Sequence, residues 1–174
     1  TSVLITMVVA VLFLAAGYPI AGILGDYFFK KNQRGRLLVS ATGILVALVL
    51  LVIAINVPHN QVILFGCLLA VTCVFMPFAA PNVITTIYDM TLPEVRSTAN
   101  ALQNFFEQVG SSVAPLVAGL IAVASSLSNA ILIISVSAWS LCFIFIVIAT
   151  YYAPKDLQLL RDQLKERAAI EKAK

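Results

Sequence analysis

The chain has 174 residues, 61% of them hydrophobic and 11% charged, with 11 Lys and Arg against 8 Asp and Glu. About a quarter of the residues in a soluble domain are charged, so this composition excludes an ordinary soluble fold and points to an integral membrane protein. The net charge of +3 is small and the basic residues cluster beside apolar runs, which argues against nucleic acid as a partner and reads as membrane topology.

Cys67, Cys73 and Cys142 all fall inside apolar runs, where a free thiol acts as a small packing residue rather than a disulfide or metal ligand. The one histidine, His59, lies in a short polar turn, the setting of a solvated side chain. No initiator Met and no basic segment precede the first apolar run, so residues 1–26 do not read as a signal peptide, and the chain reads as a fragment or a processed product.

The first apolar run extends from Thr1 to about Gly25. Pro19, with Gly17, Gly22 and Gly25 nearby, predicts a kinked or closely packed helix in its second half. The polar loop 26–36 follows and holds Lys30, Lys31, Arg34 and Arg36. A second run, Leu37 to about Asn56, has almost no polarity beyond Ser40 and Thr42, and such a helix can face lipid on most sides. After the turn at Val57 to Asn60, a third run reaches from Gln61 to about Tyr88. It exceeds the ~20 residues needed to cross the hydrocarbon and contains Pro77 and Pro81, which predicts tilt or a break near Met76 to Asn82.

The link 89–96 closes the second hairpin, and a fourth run extends from Ser97 to about Ala124. A turn around Ser125 to Asn129 leads to the fifth run, Ala130 to about Tyr152, in which Trp139 reads as a packing or lipid-facing residue. Pro154 is expected to stop that span. Beyond it Leu157, Leu160, Leu164 and Ala168 recur at helical spacing, predicting a separate amphipathic helix along the membrane surface or the bundle, with a frayed end. The fold class is therefore all-α: a bundle over 1–153 with five spans (1–25, 37–56, 61–88, 97–124 and 130–152) and an amphipathic tail over 154–174.

Sidedness follows from charge. If alternate connections lie on opposite faces, Lys30, Lys31, Arg34, Arg36, Arg96 and the basic residues from Lys155 to Lys174 share one face, while the other two turns contain no Lys or Arg. The positive-inside rule then makes the loops 26–36 and 89–96 and the tail cytoplasmic and puts Thr1 outside. Tyr27, Tyr88, Tyr151 and Tyr152 fall at the cytoplasmic headgroup level, as an aromatic belt does.

The polar residues of the fourth run are the candidate site. Asn100, Asn104, Glu107 and Ser111 follow at spacings of 4, 3 and 4, forming one helical stripe with Gln103 and Gln108 at its margins. Such a stripe is unfavourable against lipid and must face other helices or water. On the same side Gly110, Ala114 and Ala118 continue as a small-residue series that permits close backbone approach. Glu107 lies about 15 Å into the run at 1.5 Å per residue, near the middle of a ~30 Å hydrocarbon layer. A carboxylate at that depth can bind a cation or a cationic solute, or exchange a proton; the alternative is a protonated Glu hydrogen-bonded to a neighbouring helix. Tyr18 and Asn82 either reach the same cavity or pack. Asp26 and Arg96 are either solvated headgroup-level charges or parts of a gate that must separate when the bundle rocks.

The loop pattern Gly22-x-x-x-Asp26, followed by Lys30, Lys31, Arg34 and Arg36, resembles the signature loop of the major facilitator superfamily. The stretch Leu92-Pro93-Glu94-Val95-Arg96-Ser97-Thr98-Ala99-Asn100, leading through Gly110 to Ala114-Pro115 and Ala118-Gly119, looks like the link between the fourth and fifth helices of one half of that fold. Two departures are evident: Tyr27 stands where a basic residue is usual, and Phe28-Phe29 where the motif turns at a Gly. The resemblance implies helices eight to twelve of a twelve-helix transporter, the rival placement being helices two to six with the tail as central linker. A weaker likeness, to spinster-like members, rests on Arg34-Gly35-Arg36-Leu37-Leu38 and Leu92-Pro93-Glu94-Val95-Arg96.

The resulting expectation is part of a secondary active transporter working by alternating access and moving a small solute, coupled to a proton or another ion, in a cell (inner or plasma) membrane. Its partners are the lipid bilayer and the remaining helices of the same transporter. Glu107, Asn100, Asn104, Gln103, Ser111, Tyr18 and Asn82 are the candidate substrate or ion contacts, and Gly22, Asp26, Arg34, Arg36 and Arg96 the candidate cytoplasmic gate. The sequence contains no phosphate-binding Gly-rich loop, metal-ligand cluster or nucleophile with its base, so no cofactor, metal or catalytic residue is assigned. A membrane scaffold using the stripe to bind a partner helix is the alternative. An intramembrane enzyme built on Glu107 and Asp89 is disfavoured by their different depths.

Overall fold

The computed structural model describes residues 2–58 and 60–172; Thr1, His59, Ala173 and Lys174 lie outside the described residues. The chain forms α1 (Ser2–Lys31), α2 (Gly35–Ile55), α3 (Val62–Phe75), a 3-10 turn (Met76–Phe78), α4 (Ala79–Met90), a second 3-10 turn (Pro93–Val95), α5 (Arg96–Ala124) and α6 (Leu127–Lys172). With α3 and α4 taken together, five helices are long and apolar enough to cross a membrane.

The connection after α1 is shorter than the sequence suggests, because α1 continues through Asp26 to Lys31. Only Asn32–Arg34 turn the chain. Asn32 Oδ1 accepts the Arg34 amide at 3.0 Å and the Asn32 carbonyl accepts the Gly35 amide at 2.7 Å, the local side-chain turn that Asn favours. At the other end, Ser126 Oγ accepts the Asn129 amide at 3.2 Å and caps α6, so that helix begins at Leu127, ahead of its predicted start.

The break expected near Met76 to Asn82 is the 3-10 turn Met76–Phe78. Proline lacks an amide donor, so Pro77 and Pro81 each remove one helical hydrogen bond. Side chains brace the same turn without replacing those bonds: Phe78 O accepts from Asn82 Nδ2 at 2.9 Å and from Ser40 Oγ at 3.4 Å.

The reading of α2 as free to face lipid on most sides, which its composition allows, is corrected by the structure. Gly35, Leu37, Val39, Ser40, Ala41, Gly43, Ile44, Ala47, Leu51 and Ala54 are all buried, and α2 packs against α1, α3, α4 and α6. Only a narrow face with Leu38, Leu45, Val49 and Ile53 is exposed. Leu37, Ala41 and Ile44 meet Ile146 and Ala153 of α6, with Trp139 and Phe143 against them, so Trp139 does pack. Protein and hydrocarbon are equally apolar, and hydropathy alone does not separate the two surroundings.

The second correction concerns the tail. No separate helix begins after Pro154; α6 is one helix of 46 residues with Pro154 inside it. A proline removes a single hydrogen bond, here to the Thr150 carbonyl. The apolar face carries through the site, because Ala153, Leu157 and Leu160 are buried at 2%, 4% and 8% exposure. Leu159 and Leu160 line a recess with Met90, Leu92 and Val95, and Arg167 Nη1 reaches Glu94 Oε1 at 2.9 Å. That ion pair is exposed and contributes little, whereas Leu160→Ala costs about 2 kcal/mol. Limited proteolysis is accordingly expected to cut within 155–172 much faster in Leu160→Ala than in Arg167→Ala.

Candidate functional site

Two sets of residues proposed from sequence lie in different settings. The first is the end of the bundle where α1 meets α2 and α4 meets α5. Here Arg36, its side chain 12% exposed, gives Nη2 and Nε to Asp26 Oδ1 at 2.7 and 3.0 Å and Nη1 to Asp89 Oδ2. Its guanidinium also lies 4.1 Å from the Phe29 ring centroid, adding a cation–π contact. One cation therefore ties three helices, with Asp26 from α1, itself from α2 and Asp89 from α4. The short turn Asn32–Arg34 enforces this, since it brings the first turn of α2 alongside the last turns of α1.

Of the other proposed gate residues, Arg34 and Arg96 are exposed and form no ion pair among the described residues. Gly22 has nothing within 4 Å of a Cβ built on it. Lys31 bonds Tyr27 Oη at 2.9 Å and lies 4.4 Å from the same ring's centroid. Sequence reasoning missed Asp89 as the second partner of Arg36. The signal that could have found it was an acidic residue closing the third apolar run at the same end as the basic loop.

The second set is the stripe on α5. No residue of α5 is buried, and it packs mainly on α6, with a smaller contact to α4. Asn104, Glu107, Gln108 and Ser111 are exposed and Asn100 and Gln103 half-buried. Ser111 Oγ donates to the Gln108 carbonyl at 3.0 Å, and Ser112 Oγ donates to the same oxygen at 2.8 Å. Gln103 Oε1 is buried and lacks a hydrogen-bond donor among the described residues. Gly110 is open, and Ala114 and Ala118 are half-buried. Tyr18, on α1, is 45% exposed.

Asn82 stands apart from this set. It is 2% exposed, with Nδ2 donating to Ala21 O at 3.1 Å and to Phe78 O at 2.9 Å, so its amide nitrogen is bound to backbone. Among the described residues, an apolar cavity of about 390 Å³ lies between the ends of α2, α3 and α6 and one of about 450 Å³ between α4 and α6, and neither of these is lined by a proposed site residue. The three cysteines are free, and no cluster of metal-ligating side chains occurs among the described residues.

No curated protein and no solved structure gives a significant match to the chain. Residues 1–171 match the family model of the Major Facilitator Superfamily. The match covers nearly the whole chain, which therefore belongs to that superfamily and is an integral, multi-pass membrane protein of the secondary-transporter class, not an enzyme.

Proposed function

We propose that this chain supplies helices eight to twelve of a twelve-helix transporter that moves a small solute by alternating access, coupled to a proton or another ion. The observation that carries the proposal is the state of α5, a spanning helix with no buried residue that presents Asn104, Glu107 and Ser111 outward from the bundle. Carboxylates and amides are not stable against hydrocarbon at that depth, so this face belongs to a water-filled path or to the other half of the transporter. Glu107 is the coupling or solute-binding group, and Asn100, Asn104, Gln103, Ser111 and Tyr18 are contacts along the path.

The Arg36 tie is the gate, with Arg34, Arg96 and Gly22 around it, at the cytoplasmic end. Ion pairs suit a gate because a partly exposed pair contributes little net stability and can exchange its partner for water or for a group of the other half as the two halves rock. By the positive-inside rule, the connections after α1 and before α5, and the end of α6, face the cytoplasm of a cell membrane. Within the superfamily, the stretches 34–38 and 92–96 favour a spinster-like member.

The test is uptake into proteoliposomes by the whole transporter, wild type beside Glu107→Gln, across a small-molecule library with and without an imposed pH gradient. Wild type is expected to accumulate a solute against its gradient. Glu107→Gln is expected to retain exchange, with accumulation falling to the level set by the solute gradient alone. Equal uphill uptake by both proteins would remove Glu107 from coupling.

A further inference from the structure

Asn82 joins the break between α3 and α4 to α1. Its Nδ2 donates across the helix contact to Ala21 O and along its own chain to Phe78 O, at 3.1 and 2.9 Å. Room for this approach comes from Gly25, where a Cβ would overlap the Asn82 side-chain amide. Ser40 of α2 adds a third arm through Phe78 O at 3.4 Å.

The position of this node matters for the ion pairs. Gly25 directly precedes Asp26, and Asp89 lies on the same face of α4 as Asn82, two helical turns or about 10 Å further on. The same three helices are therefore tied twice, once at depth by neutral hydrogen bonds and once at the end by Arg36, Asp26 and Asp89. The two ties differ in durability. Away from water a buried amide–carbonyl bond has no competitor, whereas the Asp26 carboxylate is 60% exposed and can exchange its partner for water.

We propose that Asn82 is a positioning residue for the gate: by fixing α4 on α1 it delivers Asp89 to Arg36. This rests on the reading of the Arg36 tie as a gate. Asn82 touches no solute in this scheme and acts only through Asp89.

The experiment uses the whole transporter in native-like membranes, with Cys67, Cys73 and Cys142 replaced by Ala and a reporter Ser97→Cys at the gate end of α5. The readout is the labelling rate with a membrane-impermeant maleimide. Asn82→Leu keeps a similar shape without the donors, and Asp89→Asn removes the ion pair. Each is expected to raise labelling about fivefold, the factor associated with losing one net hydrogen bond. If Asn82 acts through Asp89, the Asn82→Leu/Asp89→Asn double variant labels no faster than Asp89→Asn alone. Multiplied effects, about 25-fold together, would mean two independent contacts and would overturn the proposal.

Asn82→Ser covers the case in which the leucine variant does not fold. Serine bonds back to the i−4 carbonyl, here Phe78 O, but is too short to reach Ala21 O. It is expected to label like the leucine variant, and wild-type labelling would defeat the proposal. Labelling needs no solute, so a transporter that moves nothing in the uptake assay refutes the transport reading while the Asn82 cycle still gives its own answer.

Discussion

Arg36→Ala is expected to destabilise the bundle by about 2 kcal/mol, more than any other single charge removal in the chain, because it leaves two carboxylates on adjacent helices without their shared cation. The two partners do not share the loss equally. Asp89 is the less exposed carboxylate, 33% against 60% for Asp26, so Asp89→Asn should cost more than Asp26→Asn, which should stay within about 1 kcal/mol. Arg36→Lys tests geometry rather than charge. One ammonium cannot reproduce the fork that reaches both Asp26 and Asp89 while lying on Phe29, and the lysine variant should fall between wild type and alanine. Thermal unfolding of the purified transporter in detergent ranks the four variants. An order in which lysine matches wild type would show that net charge alone suffices.

The second large effect is steric. A Cβ at Gly17 would strike the Val74 carbonyl oxygen and come within 2.7 Å of Pro77 Cγ. The first obstacle is backbone, which cannot rotate away, so Gly17→Ala must push α1 off α3 and should cost about 2–3 kcal/mol despite alanine's better helix propensity. Gly66→Ala is the control. It has nothing within 4 Å, so it should stabilise α3 by about 0.5–1 kcal/mol through propensity alone. Unfolding temperatures of the two variants should therefore move in opposite directions. Gly22, Gly110 and Gly119 are equally open in this chain. On the proposed placement within a twelve-helix transporter, a destabilising Gly→Ala change at any of them would mark the place where another helix comes close.

What could be read from sequence was whatever a membrane penalises strongly. Charge is excluded from hydrocarbon, so the connections and the stripe on α5 stand out in the residue order, and two prolines 4 residues apart mark the break at Met76–Phe78. What could not be read was whatever a membrane leaves free of cost. Leu37 and Leu38 are neighbours of identical hydropathy, yet one is 5% and the other 46% exposed. Pro154 looked like a stop because its local cost is visible, while the compensating burial of Ala153, Leu157 and Leu160 depends on partners distant in sequence. Asp89 escaped for the same reason. Its partner is 53 residues away, and only the packing of α2 on α4 brings them together.

The continuity of α6 has a mechanical consequence. From Ala153 to Lys172 the helix projects about 30 Å beyond Tyr152 at 1.5 Å per residue. A rigid arm converts angle into distance: each ~10° of tilt about Leu160 sweeps the tip, ~18 Å further on, through ~3 Å. Bracing at Leu160 against the segment before α5 sets the fulcrum close to the membrane. The far end thus acts as a pointer, and a pair of probes, one at Gln158 and one at Ala169, would report the tilt of the bundle from outside the bilayer.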